Sequence, residues 1–373
     1  MHRKKSPNRF RAVVSRQPRR RVVMLSPGMT SCRRNRQWHP RMVSVKDVAR
    51  LAGVSPMTVS RAINTPEKLN PETLAKVRQA IEALNYVPSL SARKIRGGHS
   101  SGKTIGVFAL DTATTPFAVE MLLSVERTAR EHGWNVFILN LFEIPPSQQA
   151  IDLMLSHRPD GIVFSTMQLR ELEIPPALLG KPLVLSNCMS TGPGVACYVP
   201  DDADGQYRAM RQALGRGYRR PLCINLPRHS LAWKLRQQGL SRALAEAGIP
   251  ADSVRQYDIS TDDAYGETVA ELERRLDETN GRPAFDLLVC GNDRIALVAY
   301  QYLLSRGLRI PADVAVLGYD NMVGIAELFY PPLSTVQLPY YEMGRRAAQH
   351  LIEERDEPFT HWVPCPVVSR QSW

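Results

Sequence analysis

The chain lacks long apolar runs and paired cysteines. None of its 373 residues lies in an apolar run approaching the roughly 18 residues that a membrane-spanning helix requires. The six cysteines form no CxxC pair and show no metal-site spacing. They are Cys32, Cys188, Cys197, Cys223, Cys290 and Cys365. We interpret them as scattered thiols of a protein that works in a reducing compartment, and the sequence predicts no contact with a membrane.

Motifs typical of enzymes are also missing. The sequence has no Gly-rich phosphate loop, no GxSxG elbow and no cluster of residues with metal-ligand spacing. Four histidines fall at predicted helix ends or faces without acidic residues at a fixed spacing: His132, His157, His229 and His350. We interpret them as surface or hydrogen-bonded side chains. The sequence therefore predicts a protein that is not an enzyme and that needs no cofactor and no metal.

The positive charge is concentrated at one end of the chain. The formal net charge is +12, and residues 1–41 contain 13 Lys or Arg and no acidic residue. The rest of the chain carries 35 of the 48 basic residues against all 36 acidic ones, a net charge of −1. This first stretch shows no helical or strand period, so we predict that residues 1–42 are a disordered basic extension.

Residues 44–95 have the pattern of several short helices. The first begins with Ser44-Val45-Lys46-Asp47, a capping-box sequence, and stops at Gly53. The second begins with Ser55-Pro56, and the third with Asn70-Pro71; each pairs a capping side chain with proline in the first turn. Two helices joined by a tight glycine turn and braced by a third predict a helix-turn-helix that enters the major groove of DNA. The alternative is a three-helix bundle that binds protein.

The residues of this segment resemble the lactose-repressor (LacI/GalR) family of bacterial transcription regulators. The matching pattern is VxDVAxxAGVSxxTVSR over residues 45–61, followed by Asn64 and by Asn85-Tyr86-x-Pro88. Looser matches continue through the chain, among them PDGIV at 159–163, GND at 291–293 and VLGYD at 316–320. The resemblance implies a helix-turn-helix DNA-binding domain over residues 43–88.

The resemblance assigns DNA contacts to the second helix and its neighbours. It implies that Pro56, Met57 and Arg61 face the bases. Phosphate contacts are implied for Ser55, Thr58, Ser60, Asn64 and Tyr86. Because Pro56 and Met57 cannot make bidentate hydrogen bonds, we expect apolar base contacts there and predict that Arg61 reads a base directly.

Residues 89–103 resemble the family's hinge helix and linker. In the family this segment folds on DNA and drives an apolar side chain between base pairs of the minor groove. Ile95 stands at that position in place of the usual leucine, and apolar wedges of several kinds unstack a base step. Arg93 and Arg96 are implied to supply charge toward the phosphates or the minor groove. A solvated linker is the alternative.

Residues 104–373 alternate apolar strands with amphipathic helices, and the series occurs twice. This pattern predicts an α/β fold in which two doubly wound parallel-sheet lobes follow the N-terminal head. It is similar to the fold of periplasmic sugar-binding proteins. Such sheets bind ligands at the carboxyl ends of their strands, so we expect a ligand in the cleft between the lobes and dimerisation through the same unit.

The resemblance also implies effector-binding residues. Sugar sites use planar side chains that bridge neighbouring hydroxyls. The candidates are Ser165 (predicted to end a strand), Asn187, Arg236, Asn292 and Asp320, with Asp111 and Phe117 on the wall of the first lobe. Asn292 and Asp293 can instead cap the following helix. A sugar, a polyol and a sugar acid all remain open as ligands, because arginine pairs with hydroxyls and with carboxylates.

Together these features predict a cytoplasmic bacterial repressor, associated with the nucleoid when it is bound to DNA. We expect a homodimer on a near-palindromic operator, with a small carbohydrate-like effector that modulates operator affinity. The alternative is a solute-binding receptor of the periplasmic type without DNA regulation. The basic extension is interpreted as a nonspecific DNA arm, as a transit peptide, or as codons preceding a true start at Met42; we favour the last, because family members usually begin close to the first helix.

Overall fold

The computed structural model describes residues 43–87, 102–111, 116–192, 194–260 and 264–373, without the side chains of residues 116–118 and 264. The basic extension over 1–42 and the predicted DNA contacts of Arg93, Ile95 and Arg96 lie outside the described residues. The described chain forms two compact units, residues 43–87 and the residues from 102 onward. Within this described part, no helix is both long and apolar enough to cross a membrane.

The first unit is a head of three helices whose starts are fixed by local caps. They are α1 (Val45–Ala52), α2 (Pro56–Asn64) and α3 (Pro71–Ala83), with a 3-10 turn at Pro66–Lys68. The carboxylate of Asp47 accepts hydrogen bonds from the backbone N–H and the hydroxyl of Ser44, at 3.0 and 2.6 Å. Gly53 ends α1 with φ 67°, a left-handed conformation that favours glycine.

A small apolar core holds the three helices together. Its fully buried members are Val48, Ala49, Val59, Val77 and Ala80. All three helices contribute to it, so the angle between α1 and α2 is set by packing as well as by the turn at Gly53. The predicted helix-turn-helix arrangement is thus present in the described residues.

The second unit contains two parallel sheets with helices between their strands. In chain order its elements are β1 (Thr104–Leu110), α4 (Pro116–Glu131), β2 (Asn135–Leu141), α5 (Gln148–Ser156), β3 (Gly161–Leu172), β4 (Leu183–Ser190), β5 (Ala196–Pro200), α6 (Asp202–Gly215), β6 (Pro221–Asn225), α7 (Leu231–Glu246), β7 (Arg255–Asp258), α8 (Ala264–Asp277), β8 (Leu287–Cys290), α9 (Asp293–Ser305), β9 (Ala315–Asp320), β10 (Ser334–Gln337), α10 (Tyr340–Ile352), β11 (Thr360–Val363) and β12 (Val367–Val368). Three 3-10 turns lie at Pro176–Leu178, Ala251–Ser253 and Ala326–Leu328.

Each sheet is the centre of one lobe. The first lobe has the strand order β11-β5-β4-β3-β1-β2, with all strands parallel. The second has the order β12-β10-β9-β8-β6-β7, and only the two-residue strand β12 runs antiparallel there. The central strands β1 and β8 are almost wholly buried, as expected for parallel sheets covered on both faces.

The chain passes between the lobes three times. It leaves the first lobe after β5, returns to it between β10 and α10, and leaves it again between β11 and β12. Helix α6 packs on α7 of the second lobe, whereas α10 packs on α4 of the first. These three crossings place the carboxyl ends of both sheets at the boundary between the lobes.

The predicted end of the strand at Ser165 was wrong. Strand β3 does not end at Ser165 but continues to Leu172, and its pairing with β4 is irregular between Ser165 and Arg170. Helix α6 begins at Asp202, because the side chain of Asp201 caps it by accepting a hydrogen bond from the N–H of Asp204 at 3.0 Å.

Candidate DNA interface and effector cleft

Helix α2 presents a solvent-facing surface at its start. Met57 is 64% exposed, and Arg61 lies one helical turn further on and is also exposed. Pro56, at the first position of the helix, is exposed beside them. The three residues predicted to face bases therefore lie together on one accessible end of the helix.

The residues predicted to hold phosphates have structural contacts of their own. The Ser55 hydroxyl caps α2 by accepting from the N–H of Thr58 at 3.1 Å, and the two hydroxyls lie 2.9 Å apart. The side-chain amide of Asn64 donates to the carbonyl of Ser60 at 2.9 Å. Tyr86 is half-buried against the head core. These side chains shape the end of the head that carries Met57 and Arg61.

The second lobe contains a buried arginine at the carboxyl ends of its strands. Arg236, on α7, donates from Nε to Oδ1 of Asp202 at 2.7 Å and from Nη1 to the carbonyl of Gly291 at 2.6 Å. Its guanidinium carbon lies 3.4 Å from the ring centroid of Tyr319. Burial alone would lower the pKa of Arg236, but the negative charge of Asp202 raises it, so the guanidinium stays charged. A buried charge with several partners is thus fixed at this edge.

Asp320 ends β9 next to this arginine. Burial raises its pKa well above the usual value of an aspartate, while the charge of Arg236 opposes that shift. Asp320 has φ 112°, a conformation that non-glycine residues rarely adopt. Oδ2 of Asp202 is a buried oxygen without a hydrogen-bond partner among the described residues. Arg236, Asp202 and Asp320 therefore form a charged cluster whose hydrogen-bonding capacity is not used up.

The GND segment has two structural roles. Asn292 is the N-cap of α9, and its Oδ1 accepts from the N–H of Ile295 at 2.8 Å. Asp293 is fully buried and accepts from the hydroxyl of Thr335 and from the N–H of Met322, each at 2.7 Å. Burial raises the pKa of Asp293 to about 6. The alternative role of Asn292 as a helix cap is therefore present in the structure. Asn292 also lies close to Arg236, because its neighbour Gly291 accepts a hydrogen bond from that arginine.

In the first lobe, Ser165 and Asn187 lie within β3 and β4, next to the irregular part of the pairing between these strands, and Asp111 directly follows β1. Ser165 is fully buried, and within the described ranges its hydroxyl has no hydrogen-bond partner. Asn187 is buried and donates to the carbonyls of Thr166 and Met167, each at 3.0 Å, so it holds the irregular part of β3. Asp111 follows β1 with φ 55° and lies 4.0 Å from Arg170. Phe117 lies in α4, and its side chain is outside the described set.

Sequence reasoning missed two parts of the cleft. Asp202 was not predicted; it is the first residue of α6, two residues after the end of β5. A second cluster surrounds Asp258, which accepts from Asn225 at 2.8 Å, from the indole of Trp233 at 2.8 Å and from Arg228 at 2.5 Å. Asn225 and Asp258 are the last residues of strands β6 and β7, where polar side chains of parallel sheets meet ligands.

The cleft beside Arg236 is nearly closed. A cavity of about 20 Å³ is lined there by Arg236, Asn225, Trp233 and Gly291, a volume that suits one water molecule. Leu231 and Leu235 of α7 pack against the apolar core of the first lobe. A ligand larger than a water molecule therefore fits beside Arg236 only if the two lobes separate at this contact.

The fold and these clusters define a class of protein: a helix-turn-helix head followed by a two-lobed binding unit of the periplasmic-binding type. Comparison with family models gives the same division. Residues 44–89 match the model of bacterial regulatory proteins of the lacI family, and residues 103–371 match that of periplasmic binding proteins and the sugar binding domain of the LacI family. The chain belongs to the LacI family and is a DNA-binding transcriptional regulator, as the resemblance predicted.

Relatives and solved structures agree with this assignment. The sucrose operon repressor of Escherichia coli is 48% identical over 332 residues, which cover 89% of this chain and 100% of that protein. The transcriptional repressor PurR of Vibrio atlanticus is 32% identical and covers 84% of this chain and 92% of its own length. A lac repressor dimer bound to operator and an anti-inducer has the same fold, with a TM-score of 0.74 at 22% identity over 89% of this chain and 99% of its own. These relatives are all transcriptional repressors.

Proposed function

We propose that this protein represses an operon for the uptake or breakdown of sucrose, and that a sugar derived from sucrose relieves the repression. The observation that carries the proposal is the 48% identity to the sucrose operon repressor over that protein's whole length. The protein acts in the cytoplasm, on the nucleoid, and has no catalytic role. A receptor without DNA regulation is not favoured, because the head is a complete helix-turn-helix unit.

The effector site is proposed at Arg236 and Asp320. Arginine has five N–H donors, and Arg236 uses two of them on Asp202 and Gly291. Its other donors, together with the acceptors of Asp320, match a pair of neighbouring sugar hydroxyls. Further contacts are proposed for side chains around the cleft: Asn292, Ser165, Asn187, Asp111 and Phe117.

The operator contacts are proposed on the exposed end of α2. Arg61 is the direct base reader there, and Pro56 and Met57 make apolar contacts. Phosphate contacts are assigned to Ser55, Thr58, Ser60, Asn64 and Tyr86. The hinge residues Arg93, Ile95 and Arg96 complete the interface in the minor groove. A homodimer on a near-palindromic site is proposed because two heads are needed to read two half-sites.

The test measures operator affinity of the full chain with sucrose, fructose, glucose, lactose and cellobiose. We expect sucrose or one of its two component sugars to change the affinity by about 5-fold or more, within the usual range of allosteric coupling. Lactose and cellobiose should have no effect. If all five sugars leave operator affinity unchanged, the proposed effector class is wrong.

A matched pair of variants tests the site. Arg236→Ala should abolish the response to sugar, whereas Arg242→Ala should preserve it. Arg242 lies on the same helix, is exposed and pairs with Glu246 at 3.3 Å. An intact sugar response in Arg236→Ala would remove this arginine from the effector site.

A further inference from the structure

Two histidines and a glutamate meet in the first lobe, away from the effector cleft. One candidate ligand atom from each of His350, Glu357 and His361 lies within 4.8 Å of the others. His350 is at the end of α10, His361 is in β11, and Glu357 lies in the loop between them. The sequence spacing HxxxxxxExxxH matches no familiar metal motif, so only the fold shows that these side chains are neighbours.

Aromatic contacts orient both imidazole rings. The hydroxyl of Tyr198 lies 3.2 Å from Nδ1 of His350. The ring of Tyr198 is stacked on that of His361, with centroids 4.5 Å apart and an angle of 12° between the planes. Phe359 contacts the same imidazole at 4.4 Å. A hydrogen bond at the second ring nitrogen, such as the one between Tyr198 and His350, fixes ring orientation in histidine metal sites.

One ring nitrogen lacks the hydrogen bond that its burial demands. Nε2 of His361 is buried and has no hydrogen-bond partner in the described part of the chain. It lies 3.5 Å from Oε2 of Glu357. Tetrahedral zinc with bonds of about 2.0–2.1 Å places neighbouring ligand atoms roughly 3.3 Å apart, so this pair already has the required separation. A buried polar atom without a partner calls for an explanation, and a bound ion supplies one.

A cavity gives access to the cluster. It has a volume of about 620 Å³, and its lining includes His350, Glu357, Glu354, Asp356 and Lys103. Water or a small anion can therefore reach the fourth position of a tetrahedral ion. The lining carries charges of both signs, with Lys103, Lys181 and Arg355 beside the acidic residues.

The geometry points to a site for a divalent transition metal of the zinc class at His350, Glu357 and His361. Two imidazoles and one carboxylate suit Zn²⁺ or Co²⁺ better than Mg²⁺ or Ca²⁺, which prefer oxygen ligands alone. The ion would tie the end of α10 to β11. The chain enters the first lobe just before α10 and leaves it just after β11. A bound ion would therefore link the two ends of this segment.

The experiment titrates the full-length, chelator-treated protein with Zn²⁺ alone and follows binding by calorimetry. We expect one high-affinity ion per chain and a higher melting temperature with zinc. Glu357→Gln and His361→Gln should each weaken binding by about 10-fold or more. Glu357→Gln keeps the volume of the side chain, and circular dichroism checks that each variant is folded. Co²⁺ should give the visible absorption of a tetrahedral ion, and this absorption should be lost in His361→Gln.

Two control variants separate this site from other metal-binding residues. Glu354→Gln changes a carboxylate of the same loop that pairs with Lys103 at 2.5 Å, and His229→Gln removes an exposed histidine of the second lobe. Both should bind zinc like the unchanged protein. Zinc binding that is absent, or equally strong in Glu357→Gln and His361→Gln, would overturn the assignment.

Discussion

Replacing Gly239 by alanine tests how closely α6 and α7 must pack beside the effector cleft. A Cβ atom at this position would lie 2.1 Å from the carbonyl oxygen of Ala203 and 2.8 Å from the backbone nitrogen of Tyr207. Ordinary contact begins at 3.4 Å, so the two backbones must separate by about 1 Å. Helix propensity alone would favour alanine by about 1 kcal/mol. Overpacking costs about 1–3 kcal/mol or more, and because backbone atoms cannot rotate away, we expect a net loss of about 2 kcal/mol.

The same displacement should weaken the effector site. Asp202 precedes Ala203 directly, and Arg236 lies one helical turn before Gly239. Moving the helices apart at Ala203 therefore stretches the 2.7 Å hydrogen bond between Arg236 and Asp202. We expect Gly239→Ala to lower both the free energy of unfolding and the affinity for the inducing sugar.

Urea unfolding and sugar titration measure the two effects. The matched control is Gly215→Ala at the end of α6, where a new Cβ would meet nothing within 4 Å. That substitution should leave stability unchanged or raise it by up to about 1 kcal/mol, the gain in helix propensity. A Gly239→Ala protein as stable as the parent, with unchanged sugar affinity, would refute the close-packing argument.

Two further predictions concern the head and a buried acid. Arg61→Ala should cost about 1–3 kcal/mol of discrimination between operator and base-substituted DNA, with sugar affinity unchanged; unaltered base preference in competition binding would contradict the assignment. Burial raises the pKa of Asp293 from 3.8 to about 6, so the folded chain keeps a proton that the unfolded chain releases. The stability linked to that proton is full below pH 3.8 and is lost as pH rises through 6, by about 3 kcal/mol. Unfolding of the parent and of Asp293→Asn between pH 4 and 7 checks this, and a stability difference that does not change with pH would disprove it.

Local signals made the head predictable. Ser44, Ser55 and Asn70 cap the three helices, and Gly53 ends the first. Each of them acts on residues only a few positions away in the chain, so the sequence alone predicted all three helices. In the lobes, the alternation of apolar strands such as β1 with amphipathic helices such as α4 was also predicted correctly. Their periodicity reports a buried face regardless of which neighbour covers it.

The remaining elements depend on distant partners. Strands β5, β10, β11 and β12 are short, and their strand character comes from pairing with segments far away in the sequence. Helix α10 was not predicted, although its buried residues Tyr340, Met343, Ala347 and Leu351 recur at helical spacing; this face is covered by α4. The meeting of His350 with His361 likewise depends on the return of the chain into the first lobe. The periodicity of apolar residues within one segment does not show which distant segment it pairs with.

The buried guanidinium of Arg236 lies close to the segments that connect the two lobes. A ligand bound to it could therefore affect the positions of the lobes relative to each other. Asp202 begins α6 immediately after β5 leaves the first lobe, and the N–H of its neighbour Asp201 donates to Val363 of β11 at 2.8 Å. The hydroxyl of Tyr319 donates to the carbonyl of Asp202 at 3.3 Å. A ligand that draws Arg236 toward itself therefore changes the forces on residues at two of the three crossings. If a ligand binds at Arg236 as proposed, we expect the binding energy to act on the angle between the lobes, because the crossings would absorb the backbone rotation.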